Sequence, residues 1–162
     1  MKKIILMRHG DATAHWKDWD RSLSEKGKND VTFVCSEIFK YADFLPKFVI
    51  CSEALRTKET FEIFSSLHPI PKDRCVFVDS LYYGKFFDVL KEISKVPSEI
   101  QSLMLIGHNP LITELAETLS KKSLRMGTSN ALLLEADVNW VDITSTTWNY
   151  KQLLTPLERI HF

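Results

Sequence analysis

Two histidines and two arginines fall at the ends of three short apolar runs. Arg8-His9-Gly10 follows Ile4-Ile5-Leu6-Met7, Arg56 lies just beyond Phe48-Val49-Ile50-Cys51, and Gly107-His108-Asn109-Pro110 follows Leu103-Met104-Leu105-Ile106. Two guanidinium forks suit the oxygens of a phosphoryl group, because each presents N–H donors in one plane. An imidazole beside fixed positive charges is disfavoured as a cation. Kept neutral, it retains a nitrogen lone pair that can attack phosphorus and carry the group as a phosphohistidine. In this arrangement His9 is the candidate nucleophile. His108, Arg8 and Arg56 would stabilise charge on the equatorial oxygens of the transition state. A helix expected to start at Asn109-Pro110 would add its positive dipole end just after His108. Gly10 reads as a point where the backbone turns sharply and approaches the phosphoryl group.

These residues can act together only if the three run ends meet on one edge of a sheet. The short apolar runs read as strands, and segments of helical period separate them. Ser24 reads as the N-cap of a helix whose apolar positions are Val31, Val34, Cys35, Ile38, Phe39 and Ala42. A second helix runs from about Ala54 to Leu67, Val76-Phe77-Val78 is a third short strand, and Phe86 to Val96 is helical up to Pro97. Asn109 reads as the next N-cap with Pro110 at the first helical position, followed by Leu111, Leu115, Ala116 and Leu119 on the buried face. Asn130 to Glu135 and Thr146 to Leu153 read as two strands paired at the sheet edge. The alternation predicts an α/β fold: a three-layer α/β/α sandwich with a mainly parallel central sheet and an antiparallel edge strand near the C-terminus. In such open sheets ligands bind beyond the carboxyl ends of the strands, where the two histidines and two arginines fall.

Bulk properties narrow the partners. A chain of 162 residues suits one domain over 1–162, and 21 Lys+Arg against 21 Asp+Glu leave a formal charge of zero. Binding to nucleic acid or to an anionic membrane needs a basic excess that is missing here. No run approaches the ~18 apolar residues of a membrane span, and the N-terminus lacks a signal-peptide pattern, so a cytoplasmic protein is expected. Cys35, Cys51 and Cys75 form no C-x-x-C pair and have apolar neighbours, which makes them small hydrophobes rather than bridges or ligands. No metal is expected either: there is no H-x-x-x-H, H-x-H or Cys/His cluster, and arginines beside His9 and His108 would repel a cation. His15, His68 and His161 lie in loop or terminal contexts and are assigned no role. Trp140 and Trp148 read as packing residues, while Trp16 and Trp19 follow Arg8-His9 closely enough to wall a pocket.

Leu6-Met7-Arg8-His9-Gly10-Asp11-Ala12 resembles the signature of the histidine phosphatase (phosphoglycerate mutase-like) superfamily. More narrowly, the chain is similar to the small SixA-type phosphohistidine phosphatases. Asp20-Arg21-Ser22-Leu23-Ser24-Glu25-Lys26-Gly27 is like their D-R-P-L-(T/S)-x-x-G segment, with Ser22 in place of Pro. Ser52-Glu53-Ala54-Leu55-Arg56-Thr57-Lys58-Glu59-Thr60 is like S-x-A-x-R-A-x-Q-T, Gly107-His108-Asn109-Pro110 matches the second-histidine motif, and Thr128-Ser129-Asn130-Ala131 resembles a late T-S-A-like segment. Four motifs in register are a far more specific signal than Arg-His-Gly alone. The resemblance implies that His9 carries the phosphoryl group, that Arg8, Arg56 and His108 complete the pocket, and that Arg21 lies near it.

Larger members of that superfamily use an acidic residue from an inserted segment to protonate the leaving group. Here the stretch between Arg56 and His108 is short, and Asp79, Asp88 and Asp11 are the candidates, none of them in a recognisable acid motif. A missing acid would slow cleavage of a phosphate ester by ~10²–10⁴-fold, whereas a P–N bond is more labile and its nitrogen can take a proton from solvent. The expected substrate is therefore phosphohistidine on a protein, such as a histidine phosphotransfer domain. The rivals are a phosphatase or mutase of a small phosphorylated metabolite and a catalytically silent phosphate-binding module. A mutase needs a more enclosed site than this short chain supplies. Intact Arg8, His9, Arg56 and His108 argue against a silent module.

Overall fold

The computed structural model describes residues 1–157, so His161 lies outside the described residues. Six strands form one sheet: β1 (Lys2–Arg8), β2 (Phe48–Ser52), β3 (Cys75–Val78), β4 (Ser102–Gly107), β5 (Ala131–Ala136) and β6 (Asn149–Leu154). Their order across the sheet is β3-β2-β4-β1-β5-β6. The first four strands are parallel, β5 runs antiparallel to β1, and β6 closes the edge antiparallel to β5. Helices α1 (Glu25–Ile38), α2 (Leu55–Leu67), α3 (Ser80–Tyr83), α4 (Phe86–Ser94) and α5 (Leu111–Ser120) connect them.

The strand runs are apolar throughout because both faces of the sheet are covered. Ile4, Leu6, Ile50, Leu103, Leu105, Leu132 and Leu134 point to a core shared with Val89 and Ile93 of α4, Leu115 and Leu119 of α5, and Trp140 and Trp148. The alternate positions Ile5, Met7, Val49, Cys51, Met104, Ile106 and Leu133 pack against Val31, Val34, Cys35 and Ile38 of α1 and Phe64 of α2. This period of two on each strand, with helices on both sides, is the expected three-layer α/β/α sandwich with its antiparallel edge. Trp140 and Trp148 are packing residues, and each indole N–H reaches a backbone carbonyl, Ile100 O and Ile143 O. The three cysteines are free, and burial lifts the Cys35 thiol to about 12 and that of Cys75 to about 11.

Three local expectations change. The first helix ends at Ile38, and Ala42 instead opens a short 3-10 turn, Ala42–Phe44, that drops Phe44 into the core. Helix α5 starts at Leu111 with Pro110 in the cap position, and Ile112 N–H donates back to the His108 carbonyl at 2.9 Å. The Asn109 side chain does not cap that helix: its amide N–H donates to Met126 O at 2.8 Å and its oxygen accepts from the Thr113 hydroxyl. Gly10 has no unusual backbone conformation; its need for hydrogen is packing, since a Cβ there would stand 2.7 Å from Val31 Cγ2. Gly27 of α1 is tighter still, with a Cβ falling 2.1 Å from Asp11 O. The turn after His9 is thus seated directly on the first turn of α1, which Ser24 caps by accepting from Gly27 N–H at 3.0 Å.

Candidate active site

The carboxyl ends of β1, β2 and β4 meet at the middle of the sheet, and three of the four sequence-selected side chains converge there with measurable contacts. The rings of His9 and His108 lie 5.0 Å apart at 54°, and Arg56 Nε donates to His9 Nε2 at 3.3 Å. Arg8 follows from the same strand end; its terminal nitrogen donates to Met126 O at 3.2 Å, while its Nε is buried without a partner. Asp79 and Asp88 make no hydrogen bond to these four side chains. Asp79 precedes α3, and Asp88 accepts from Lys85 N–H at the start of α4. Asp11 is engaged elsewhere as well, accepting from the Ser24 hydroxyl at 2.6 Å.

Hydrogen bonds define the protonation of each imidazole. His9 Nδ1 lies 2.7 Å from Gly10 O, an acceptor only, so Nδ1 carries the proton and Nε2 keeps the lone pair. The Arg56 Nε–H that points at Nε2 requires the same tautomer. Burial holds His9 down at about 4 against the opposing Gly10 bond, with Arg56, Arg8 and Arg21 adding repulsion. Burial likewise holds His108 at about 3, reinforced by His9 and Arg56. Both rings are neutral near pH 7. His108 Nε2 lies 2.8 Å from Ser52 Oγ, while its Nδ1 is buried without a partner. Among the described residues the Ser52 hydroxyl has no acceptor other than His108 Nε2, so its proton goes there and leaves Nδ1 as an N–H donor. Two buried donors, Arg8 Nε and His108 Nδ1, therefore lack an acceptor. An oxyanion at Nε2 of His9 would supply one.

The local scaffold explains why these groups hold still. Helix α2 begins right after β2, and its first turns deliver Arg56 to the site and Thr60 to the His9–Gly10 turn. Thr60 Oγ1 accepts from Gly10 N–H at 3.1 Å and donates to Arg56 O at 2.8 Å. Ser129 is buried with φ at 65°, and its N–H donates to His9 O at 2.9 Å. A serine held in the left-handed region costs about 1 kcal/mol, and that strain is maintained beside the candidate nucleophile.

One side chain that the sequence reading passed over, Asp18, dominates the outer half of the site. Its carboxylate accepts from Arg56 at 3.0 Å and from Arg21 at 3.3 Å, and also from the Tyr82 hydroxyl; its carbonyl takes a further Arg56 N–H at 2.7 Å. The Tyr82 bond first, and then the Arg56 pairing, hold this carboxyl down at about 2. Arg56 keeps one free N–H on each terminal nitrogen. Arg21 lies at the pocket as the resemblance implied. Trp19, half-buried, packs on Tyr82 and Tyr83, whereas Trp16 is exposed and stacks on His15. Ser52 was within a quoted motif and could have been flagged by its place at a strand end. Asp18 and Tyr82 left no such signal, because 64 residues separate them along the chain. Among the described residues no group of three or more His, Cys, Asp or Glu could hold a metal ion, and no helix is long and apolar enough to cross a membrane.

Known structures place this architecture. No family model matches the chain. The SixA protein of Nakamurella multipartitia superposes with a TM-score of 0.86 at 21% identity, covering 97% of each chain. The protein histidine phosphatase SixA complexed with tungstate superposes with a TM-score of 0.80 at 21% identity, covering 95% of this chain and 97% of that one. The chain shares the fold of these SixA proteins. In sequence, an uncharacterised chloroplastic protein of Arabidopsis thaliana is 30% identical over 173 aligned residues, covering 96% of this chain and 78% of its own length. The chain and that plant protein belong to one family.

Proposed function

We propose that this chain is a metal-independent phosphatase that transfers a phosphoryl group to Nε2 of His9 and then to water, with phosphohistidine on a protein as its substrate. The observation that carries the reading is the His9 tautomer: Nδ1–H is committed to Gly10 O, and the Nε2 lone pair faces Arg56. In the first step that lone pair attacks phosphorus and the bond to the leaving group breaks. Formation of N-phosphoimidazolium puts positive charge on the ring, which Gly10 O stabilises through Nδ1–H. Arg56, Arg8 Nε and His108 Nδ1 donate to the three equatorial oxygens, where charge is spread in the transition state. Water then attacks phosphorus from the vacated side and Nε2 recovers its electron pair.

Phosphohistidine suits this site because none of the described residues places a protonated acid at His9 to serve an alkoxide. Among the described residues the carboxyl hydrogen-bonded to the site is Asp18, which is held at about 2 and is ionised at neutral pH. The SixA protein histidine phosphatase, which shares the fold, supports the same substrate. The test is phosphate release from a phosphohistidine protein and from para-nitrophenyl phosphate, each with EDTA, in wild type and His9→Ala. EDTA-resistant release from the phosphohistidine protein, lost in the variant, is expected. Faster turnover of a phosphoserine peptide than of a phosphohistidine peptide would overturn the substrate assignment.

A further inference from the structure

Arg56 does two things at once in the resting protein. Its Nε–H points at the His9 Nε2 lone pair, the pair that attacks phosphorus in the reaction proposed above. That N–H must pass to an equatorial oxygen as a phosphoryl group arrives, while the guanidinium itself stays in place. Both terminal nitrogens are held by Asp18, Nη1 on its carbonyl at 2.7 Å and Nη2 on Oδ2 at 3.0 Å. Asp18 lies on a short 3-10 turn, Asp18–Asp20, and its side chain is 52% exposed, so this clamp needs an anchor of its own. Tyr82 touches both halves of it. The Tyr82 hydroxyl donates to Asp18 Oδ2, the oxygen that also receives Arg56 Nη2, and Arg56 Cζ stands over the Tyr82 ring, 5.8 Å from its centre. The Asp18 bond raises the Tyr82 pKa, which keeps the hydroxyl a donor at neutral pH. The ring is pinned in turn. It meets His108 edge-on at 5.1 Å, Trp19 at 4.8 Å and Tyr83 at 4.5 Å. The preceding residue, Leu81, is buried in the core, and its Cδ2 would lie 3.6 Å from a Cβ at Gly107, so α3 is fixed to the sheet beside His108.

We infer that Tyr82 is a positioning residue that acts through Arg56, holding the guanidinium where its Nε–H can pass from His9 to the phosphoryl group. The inference rests on the phosphatase reading above and adds to it a residue that touches no reacting atom. Without the ring and the hydroxyl, Arg56 would pair with Asp18 in more than one arrangement, and only part of the molecules would present Nε at His9. A donor misplaced by an ångström loses much of its effect on the transition state.

The experiment measures kcat on a phosphohistidine peptide for Tyr82→Phe and Tyr82→Leu, each alone and combined with Arg56→Ala, with melting curves to check folding. Tyr82→Phe keeps the ring and loses the bond to Asp18, and kcat is expected to fall about threefold. Tyr82→Leu also loses the cation–π contact, and the fall is expected to reach about tenfold. In the Arg56→Ala background both falls should vanish, because groups that act as one unit are not additive, whereas a merely structural loss would persist. A second readout needs no turnover: the nitrogen NMR resonance of His9 Nε2 should move in Tyr82→Leu towards that of an unbonded ring nitrogen. An unmoved kcat in Tyr82→Leu, a tenfold fall that persists in Arg56→Ala, or an unmoved resonance overturns the positioning role. Absence of any His9-dependent turnover in wild type overturns the phosphatase reading instead, and the resonance then still decides whether Tyr82 holds Arg56 at His9.

Discussion

The two ends of the parallel sheet both bury cationic side chains, and they treat them in opposite ways. At the amino end of β1 Lys2 is 5% exposed, yet its ammonium donates to Ser98 O and Ile100 O and sits 5.3 Å from the Trp140 ring centre. Burial lowers the Lys2 pKa, but its charge has acceptors and the end is closed. At the carboxyl end Arg8 Nε and His108 Nδ1 are buried with none. Strand β1 therefore carries a satisfied cation, Lys2, at one end and a donor awaiting an anion, Arg8 Nε, at the other, beside His108 at the end of β4. Satisfied groups stabilise a fold, whereas unsatisfied ones mark where a ligand completes the structure. The contrast can be broken by substitution at either end.

The largest effect is expected from His9→Ala, which should lower phosphate release by at least ~10⁴-fold while leaving the thermal midpoint near wild type; steady-state kinetics with a melting curve would check it. Arg56→Ala should cost ~10²–10³-fold in kcat, the scale of losing one preorganised oxyanion donor. Acid should act on the carboxyl end next. His9 at about 4 and His108 at about 3 bind protons later than the 6.5 of an unfolded histidine, so the unfolded chain takes up protons first as pH falls. Stability is thus complete well above pH 6.5 and decreases below it, by about 4 kcal/mol for the pair by about pH 5; urea titrations at several pH values would show the slope.

Lys2→Met tests the other end. It should cost ~1–3 kcal/mol of stability by leaving the Ser98 carbonyl without a donor, with kcat per folded molecule unchanged. Ser52→Ala is the smallest change and the sharpest probe. Without the hydroxyl that fixes the His108 tautomer, kcat should fall about tenfold while KM for para-nitrophenyl phosphate moves little. A drop in stability alone, with kcat unchanged, would mean that Ser52 belongs with Lys2 and not with the site.

Much of this was legible before any coordinates. The runs at Ile4, Phe48 and Leu103 read as strands because burial on both faces makes them apolar at every position, and their neighbours Arg8, His9, Arg56 and His108 could be placed at one edge on topology alone. Ser24 was a readable cap because capping depends on residues three apart. Asn109-Pro110 misled for the same kind of reason. Local preference favoured a cap, but Met126 and Thr113 engage the Asn109 side chain and the His108 carbonyl starts the helix. The packing demand at Gly10 was not legible, since only the seat of its turn on α1 reveals the contact with Val31.

The amino-acid sequence by itself determined the strand–helix alternation, the covered sheet and the types of group available at its carboxyl edge, all of which follow from periodicity and neighbours a few residues away. The tertiary structure decided which nitrogen of each histidine is free, that Asp18 is an ionised partner of Arg56 and Tyr82, and that Asp88 is engaged at the start of α4. Protonation and pairing depend on burial and on atoms within a few ångströms, and the chain brings those atoms together from positions as far apart as Asp18 and Tyr82.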